Sequence, residues 1–208
     1  MHCDSRVLFK DCSFDVTENV YVPTEDSFLF ADNLRPRKSD SVVDMGTGCG
    51  ILGIIAAKKA AQVLAVDVNP YAVQCARKNA VLNGVADKMS FIRGDLFSAL
   101  NARRKFSLIL FNAPYLPVEN GDRSWLGLAW SGGASGRKLS DRFIAEASEH
   151  LDPTGEVLLM TSSLSGIEET MRSFSRKGLN ARVVASRHLP FFETIMLISA
   201  RSRERSDQ

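Results

Sequence analysis

The stretch Ser41-Val42-Val43-Asp44-Met45-Gly46-Thr47-Gly48-Cys49-Gly50-Ile51-Leu52-Gly53 constrains the fold more than any other part of the chain. It reads as a buried strand, a glycine-rich turn and a helix opening on Ile51. Further on, Val63-Leu64-Ala65-Val66-Asp67 is a second buried strand ending in a carboxylate, followed by Asn69-Pro70 and another helix. Strand, glycine turn, helix, strand and acid form the dinucleotide-type crossover, in which the acid meets a ribose. Glycines there let the backbone approach a ligand that any Cβ would exclude. The expected fold is α/β and Rossmann-like, a mostly parallel sheet with helices on both faces.

Two cofactors compete for this unit. Counted from Gly48, the letters Gly48-x-Gly50-x-x-Gly53 match the NAD fingerprint, and Asp67 lies near the expected distance. Counted from Asp44, they read Asp-x-Gly-x-Gly-x-Gly, the pattern by which S-adenosylmethionine (SAM) enzymes hold the methionine end and the adenosine. An acid at the strand end suits a ligand carrying an ammonium and a sulfonium, and suits a pyrophosphate poorly.

The segment Phe106-Ser107-Leu108-Ile109-Leu110-Phe111-Asn112-Ala113-Pro114-Tyr115 tips the balance to SAM. An apolar strand ends in an amide, a proline and an aromatic ring. Asn112 Oδ1 and the Ala113 carbonyl offer two acceptors for the two N–H bonds of an amide or exocyclic amine, and Tyr115 offers a face to stack on. Pro114 confines Ala113 to extended geometry and so fixes the direction of one acceptor. Such a site has no role in hydride transfer and an evident one in methylating nitrogen. An ordinary strand-to-loop exit would use the same residue types.

With residues 44–50, Asp67 and the Asn-Ala-Pro-Tyr tetrapeptide together, the chain resembles a class I SAM-dependent methyltransferase of the HemK type. Those enzymes methylate the glutamine side-chain nitrogen in the Gly-Gly-Gln loop of class I peptide release factors. Tyr21-Val22-Pro23-Thr24-Glu25-Asp26-Ser27 is similar to the Tyr-x-Pro-x-Glu-Asp motif of the shorter archaeal and eukaryotic branch. Trp130-Ser131-Gly132-Gly133 through Gly136-Arg137, then Asp141-Arg142-Phe143, resembles that branch's loop and helix after the tetrapeptide. The resemblance spans residues 15–199; bacterial members carry an extra helical domain in front. It implies a seven-stranded sheet and a cofactor site at Tyr21, Thr24, Asp44, Gly46, Thr47, Gly48, Gly50, Asp67, Val68, Asn69, Asp95, Leu96 and Asn112. Asp95 and Leu96 would lie against the adenine. Asn112, Ala113, Pro114 and Tyr115 would hold the methyl acceptor. The resemblance also implies a release factor as substrate and a small zinc-binding activator as partner subunit.

One departure stands out. The family usually has Asn-Pro-Pro-Tyr, and here Ala113 replaces the first proline. The acceptor at that position is a main-chain carbonyl, which alanine supplies equally well. What is lost is the restriction of Asn112.

At 208 residues the chain can bury a full core, and residues 1–200 are expected to form a single domain. A net charge of +2 does not announce a nucleic-acid binder, so nucleic acid is disfavoured as a direct substrate. The four cysteines, Cys3, Cys12, Cys49 and Cys75, show no metal spacing and read as reduced thiols, so no metal is expected. Residues 1–10 do not resemble a signal peptide and no run approaches the length of a membrane span, so a soluble, cytoplasmic protein is expected.

Residues 6–20 are expected to make a strand pair capping one sheet edge, and 24–33 a helix with Thr24 as N-cap and two acids in its first turn. Residues 71–82 read as a helix stopped near Asn83-Gly84, 91–96 as a third strand ending in Asp95, 139–150 as a helix, 155–161 as a strand and 166–177 as a helix. Residues 181–186 and 194–200 are expected to close the sheet as a hairpin, with His188 in a surface role. The segment 116–137 is long for a loop and holds Trp125 and Trp130; it is the expected substrate-facing lid. Residues 201–208 read as a disordered tail. Two alternatives remain: an adenine or cytosine amino methyltransferase of nucleic acid, and a non-catalytic subunit that retains the SAM fold.

Overall fold

The computed structural model describes residues 5–119, 122–190 and 192–202. Cys3, Phe191, residues 120 and 121 of the 116–137 segment and the tail from 203 onward lie outside the described residues.

Strands β1 (Ser5–Phe9) and β2 (Cys12–Val16) pair antiparallel as a sheet of their own. They do not cap the edge of the main sheet, as the sequence suggested. Instead β2 rests on helix α3 (Pro70–Leu82), where two asparagines four residues apart face it. Asn79 Oδ1 accepts from the Asp15 N–H and Asn79 Nδ2 donates to the Asp15 carbonyl. Asn83, at the helix end, does the same for Ser13. Side-chain amides thus take the place of a neighbouring strand.

After α1 (Glu25–Asn33), the main sheet is built from β3 (Ser41–Met45), β4 (Gln62–Asp67), β5 (Met89–Arg93), β6 (Phe106–Asn112), β7 (Leu151–Ser162), β8 (Leu179–His188) and β9 (Thr194–Ser202). Its order is β5-β4-β3-β6-β7-β9-β8, parallel except where β9 runs antiparallel to both neighbours. Seven strands, mostly parallel and closed by a hairpin, match the expected class. Helices α2 (Ile51–Ala57), α4 (Trp125–Trp130), α5 (Lys138–Ala147) and α6 (Ile167–Arg176) complete the fold.

Successive strand residues point to opposite faces and join separate cores. Val42, Leu108 and Leu110 pack with Phe30 of α1, Ile54 of α2 and Ala80 of α3. Val43, Ile109 and Phe111 pack with Phe143 and Ile144 of α5 and Phe174 of α6. The sheet is therefore covered on both sides, as strands apolar on both faces require. The chain reverses direction across the sheet between β3 and β6, and a crevice opens beyond their carboxyl ends, where ligands bind in such folds.

Boundaries differ from the sequence reading at several elements: β5 ends at Arg93, short of Asp95, and β7 and β8 are longer than expected at both ends. Segment 116–137 contains α4, a helix too short to show a periodicity. Helix α5 stops at Ala147, and His150 is buried with its ring stacked on Phe97 at 4.7 Å. The tail begins later than expected, because Arg201 and Ser202 continue β9 and Arg201 pairs with Glu156 at 2.8 Å. His188 ends β8 on the surface, with Nδ1 2.9 Å from Thr194 Oγ1.

Candidate active site

The glycine turn after β3 is held from beneath by Asp44. This fully buried carboxylate accepts from Thr47 Oγ1 at 2.6 Å and from the Gly53 N–H at 2.9 Å. Burial, opposed by these bonds and assisted by nearby Asp67, pushes its pKa up to about 7. The turn leaves Gly48 at φ 56, in the left-handed region, and a Cβ there would meet no atom within 4 Å. That is open space at a bare backbone, a cradle that a side chain would fill.

Asp67 closes the second crossover strand. Its Oδ2 accepts from the Gly48 N–H and its Oδ1 from the Asn69 N–H, both at 2.9 Å. Each oxygen keeps a lone pair for a further donor. Burial raises its pKa, against the pull of those backbone bonds. Asn69 caps α3 by accepting from the Tyr71 N–H, and its Nδ2 reaches the Asn19 carbonyl at 2.7 Å.

A cavity of about 220 Å³ runs from this turn to the end of β6. Tyr21, Gly46, Thr47, Gly48, Asp67, Val68, Asn69, Asp95 and Leu96 line one part of it. Asp95 is fixed by Arg142 of α5 at 2.9 Å, and Leu96 carries a positive φ of 49. A leucine in that conformation is costly, and such strain gathers at ligand sites. Thr24, Asp44 and Gly50 are not in the lining. Asp44 and Gly50 shape the turn from behind, and a Cβ at Gly50 would meet the Ala76 backbone at 3.1 Å. Thr24 occupies the N-cap position of α1 without capping it; its hydroxyl turns to Tyr21 and Asp26 instead.

Asn112, Ala113, Pro114 and Tyr115 also line it, as do Trp125, Leu128 and Trp130 of α4. Both tryptophans of segment 116–137 thus reach the cavity. The segment is tied down near its ends: the Leu116 N–H donates to the Trp130 carbonyl and the Gly132 N–H to the Leu116 carbonyl. Buried Arg137 donates to the Ser165 and Gly166 carbonyls and to Thr170 Oγ1, fixing the end of the segment to the start of α6.

The Asn112 amide is held at one end only. Its Nδ2 donates to Asp26 Oδ2 at 3.0 Å and to Ser27 Oγ at 3.3 Å. Its Oδ1 is buried and has no partner among the described residues. An unpartnered buried acceptor is expensive, and here it belongs to the group the sequence assigned to a substrate amine. Sequence reasoning quoted Asp26 within the Tyr-x-Pro-x-Glu-Asp motif and as an acid favoured by the α1 dipole, and gave it no role at the site. Asp26 is 5% exposed and also accepts from the Tyr115 hydroxyl at 3.3 Å and the Ser27 N–H at 2.6 Å. Burial first, and then the nearby Asp26 charge, push both the Tyr21 and Tyr115 phenols above their ordinary range. Among the described residues no cluster of acids, histidines and cysteines could hold a metal.

Residues 24–187 match the family described as "Methyltransferase small domain". A relative from Methanocaldococcus jannaschii, named "Putative protein N5-glutamine methyltransferase", is 42% identical over 87% of this chain and 91% of its own length. The human "Methyltransferase HEMK2" is 31% identical over 81% of this chain and 84% of its own. Among solved structures, the E. cuniculi Mtq2–Trm112 complex, described as methylating the eRF1 translation termination factor, superposes with a TM-score of 0.70. It is 23% identical and covers 89% of this chain and 99% of that one, a likeness of fold. These comparisons set NAD aside and make SAM the cofactor. The open backbone at Gly48, the two acceptors of Asp67 and the orphaned Asn112 oxygen are what such a cofactor and a planar amine would occupy. The chain belongs to the methyltransferase small-domain family.

Proposed function

We propose that this methyltransferase acts on the side-chain nitrogen of a glutamine, that of the Gly-Gly-Gln loop of a class I peptide release factor. One observation carries the reading: Asn112, which lines the cavity, keeps a buried, partnerless oxygen while its nitrogen is fixed elsewhere. A site that displays acceptors selects a ligand with N–H bonds to give. The names of relatives add support, since the M. jannaschii protein is named for glutamine methylation and three bacterial relatives are named release factor glutamine methyltransferases.

SAM supplies an electrophilic methyl group on a sulfonium. The chain's residues supply alignment. An amide nitrogen has its lone pair committed to resonance and is a poor nucleophile. Accepting its hydrogens at Asn112 Oδ1 and the Ala113 carbonyl holds it in line and builds negative character on it. Tyr115 and the α4 tryptophans border the substrate plane and exclude water. No strong base is needed, because the methylated nitrogen is acidic and releases its proton to water. Phenols held protonated at Tyr21 and Tyr115 fit a site without a base.

The proposed setting is the cytoplasm, and no described helix is long and apolar enough to cross a membrane. A small zinc-binding activator is the proposed partner subunit. Val81 and Leu82 of α3 stand exposed near β5, the edge strand of the sheet, and give it an apolar footing. Methyl transfer from labelled SAM to a panel of release factor, DNA and RNA tests the substrate. Asn112→Ala should cut turnover on the release factor by roughly 10²–10³ with SAM affinity unchanged. Turnover at the wild-type rate would sink the amide clamp, and methylation of nucleic acid alone would replace the substrate.

A further inference from the structure

The Asn112 side chain can present either of two opposite chemistries to the cavity. Rotated by half a turn, the amide would show Nδ2, a donor, where it now shows Oδ1, and a substrate amine would meet hydrogens instead of a lone pair. Asn112 itself has no preference between these states. Ser27 Oγ also accepts from Asn112 Nδ2, at 3.3 Å, but a hydroxyl can turn to donate. The choice therefore lies with Asp26, whose Oδ2 accepts from Asn112 Nδ2 at 3.0 Å and from the Tyr115 hydroxyl at 3.3 Å. A carboxylate only accepts, so the flipped amide would set oxygen against oxygen in a buried site.

We propose that Asp26 is a positioning residue that sets the donor–acceptor polarity of the substrate site, through the bond from Asn112 Nδ2 to Asp26 Oδ2. Asp26 is itself over-determined. Its other oxygen accepts from Thr24 Oγ1, the Ser27 N–H and Ser27 Oγ, and lies 3.2 Å from the Tyr21 hydroxyl. The start of α1 thereby orients a group more than 80 residues away in the chain. Asp26 also holds the Tyr115 hydroxyl, so the amide and the ring that frame the acceptor are fixed by one group. The consequence is selectivity: the site takes ligands that donate two N–H bonds and rejects isosteres that present only oxygen.

The activity arm of the test rests on the glutamine reading, and the spectroscopic arm does not. In Asp26→Asn the residue facing Asn112 gains an NH₂, and the favourable response is for Asn112 to flip. Turnover of a Gly-Gly-Gln release factor should fall roughly 10²-fold, as for a displaced reacting group, with SAM affinity by calorimetry unchanged. The exchanged pair Asp26→Asn with Asn112→Asp restores a donor at 26 and an acceptor toward the cavity, and should recover at least about tenfold over Asp26→Asn. A merely structural aspartate would give no such recovery. In the wild type, NMR should show the Asn112 side-chain NH₂ protons exchanging slowly, and in Asp26→Asn they should exchange faster. Wild-type turnover in Asp26→Asn, no recovery in the exchanged pair, or freely exchanging Asn112 protons in the wild-type protein would each overturn the assignment. Slow exchange without any glutamine turnover would sink the glutamine reading and leave the role of Asp26 standing.

Discussion

A methyl group on Gly53 would stand 2.8 Å from Asp44 Oδ2. The same oxygen accepts from the Gly53 N–H and from Thr47 Oγ1, so it has nowhere to move. Gly53 lies inside α2, where alanine is otherwise favoured by roughly 0.8–1.0 kcal/mol. Overpacking against a pinned buried group costs roughly 1–3 kcal/mol, which outweighs the gain. Gly53→Ala is therefore expected to lower stability by up to about 2 kcal/mol and to weaken SAM binding, because Asp44 shapes the turn. Urea denaturation and calorimetry check both. A variant as stable as the parent would mean that Asp44 can shift aside.

The burial of Asp44 should also leave a mark on pH dependence. Its pKa is pushed up to about 7 in the folded protein, from 3.8. Between those values the unfolded chain gains by ionising and the folded chain does not, so stability falls as pH rises from about 4 to about 7. Below that window both states are protonated and there is no penalty; above it the penalty is constant. The slope is at most roughly 1.4 kcal/mol per pH unit. Asp44→Asn keeps an oxygen for Thr47 and Gly53 but cannot ionise. Denaturation at pH 5 and pH 7.5 should show the parent losing stability relative to the variant. Parallel behaviour would mean that Asp44 is ionised throughout.

Asp67 does two jobs at one carboxylate: it braces the Gly48 and Asn69 amides and it turns spare lone pairs to the cavity. Asp67→Ala should weaken SAM binding by roughly 1.5–3 kcal/mol, the range for a hydrogen bond to a charged group. Asp67→Asn should lose less, since one oxygen remains. Binding of SAM by Asp67→Ala with parental affinity would remove the ribose contact from the site.

Much of this was legible in the sequence, because strand ends and glycine turns are written in local chemistry. The succession of strands and helices along the chain and the hairpin closing the sheet follow from apolar runs and their terminators, whereas the spatial order of the strands does not. The NAD-like spacing of Gly48, Gly50 and Gly53 was ambiguous for a reason now visible. Gly50 is small because the Ala76 backbone lies 3.1 Å from where its Cβ would be, and Gly53 because Asp44 does. That part of the fingerprint records packing rather than a ligand. What could not be read were pairings across the chain. Asp26 meets Asn112 and Tyr115 only once α1 is laid beside β6, and Asn79 and Asn83 meet β2 only after the hairpin folds onto α3. Helix α4 escaped because six residues are too few to show a period.

The Ala113 departure can be decided by restoring the usual residue. Proline at 113 would remove an N–H that directly follows the last β6–β7 pair, Asn112 with Met160; beyond the strand ladders that N–H makes no hydrogen bond among the described residues. It would also confine Asn112 to extended backbone, which Asn112 already adopts as the last residue of β6. The entropic gain is roughly 0.4–1 kcal/mol where the native geometry is compatible. Opposing it is the added ring, because Ala113 is 3% exposed and packs in the core with Phe111 and Phe143. Ala113 also lines the cavity, and the gain is expected to prevail. Ala113→Pro should be tolerated, raise the melting temperature slightly and leave single-turnover methylation at or above the parental rate, since it tightens the residue that presents the acceptor. A fall in both melting temperature and SAM affinity would show instead that the alanine makes room in a core too tight for the ring.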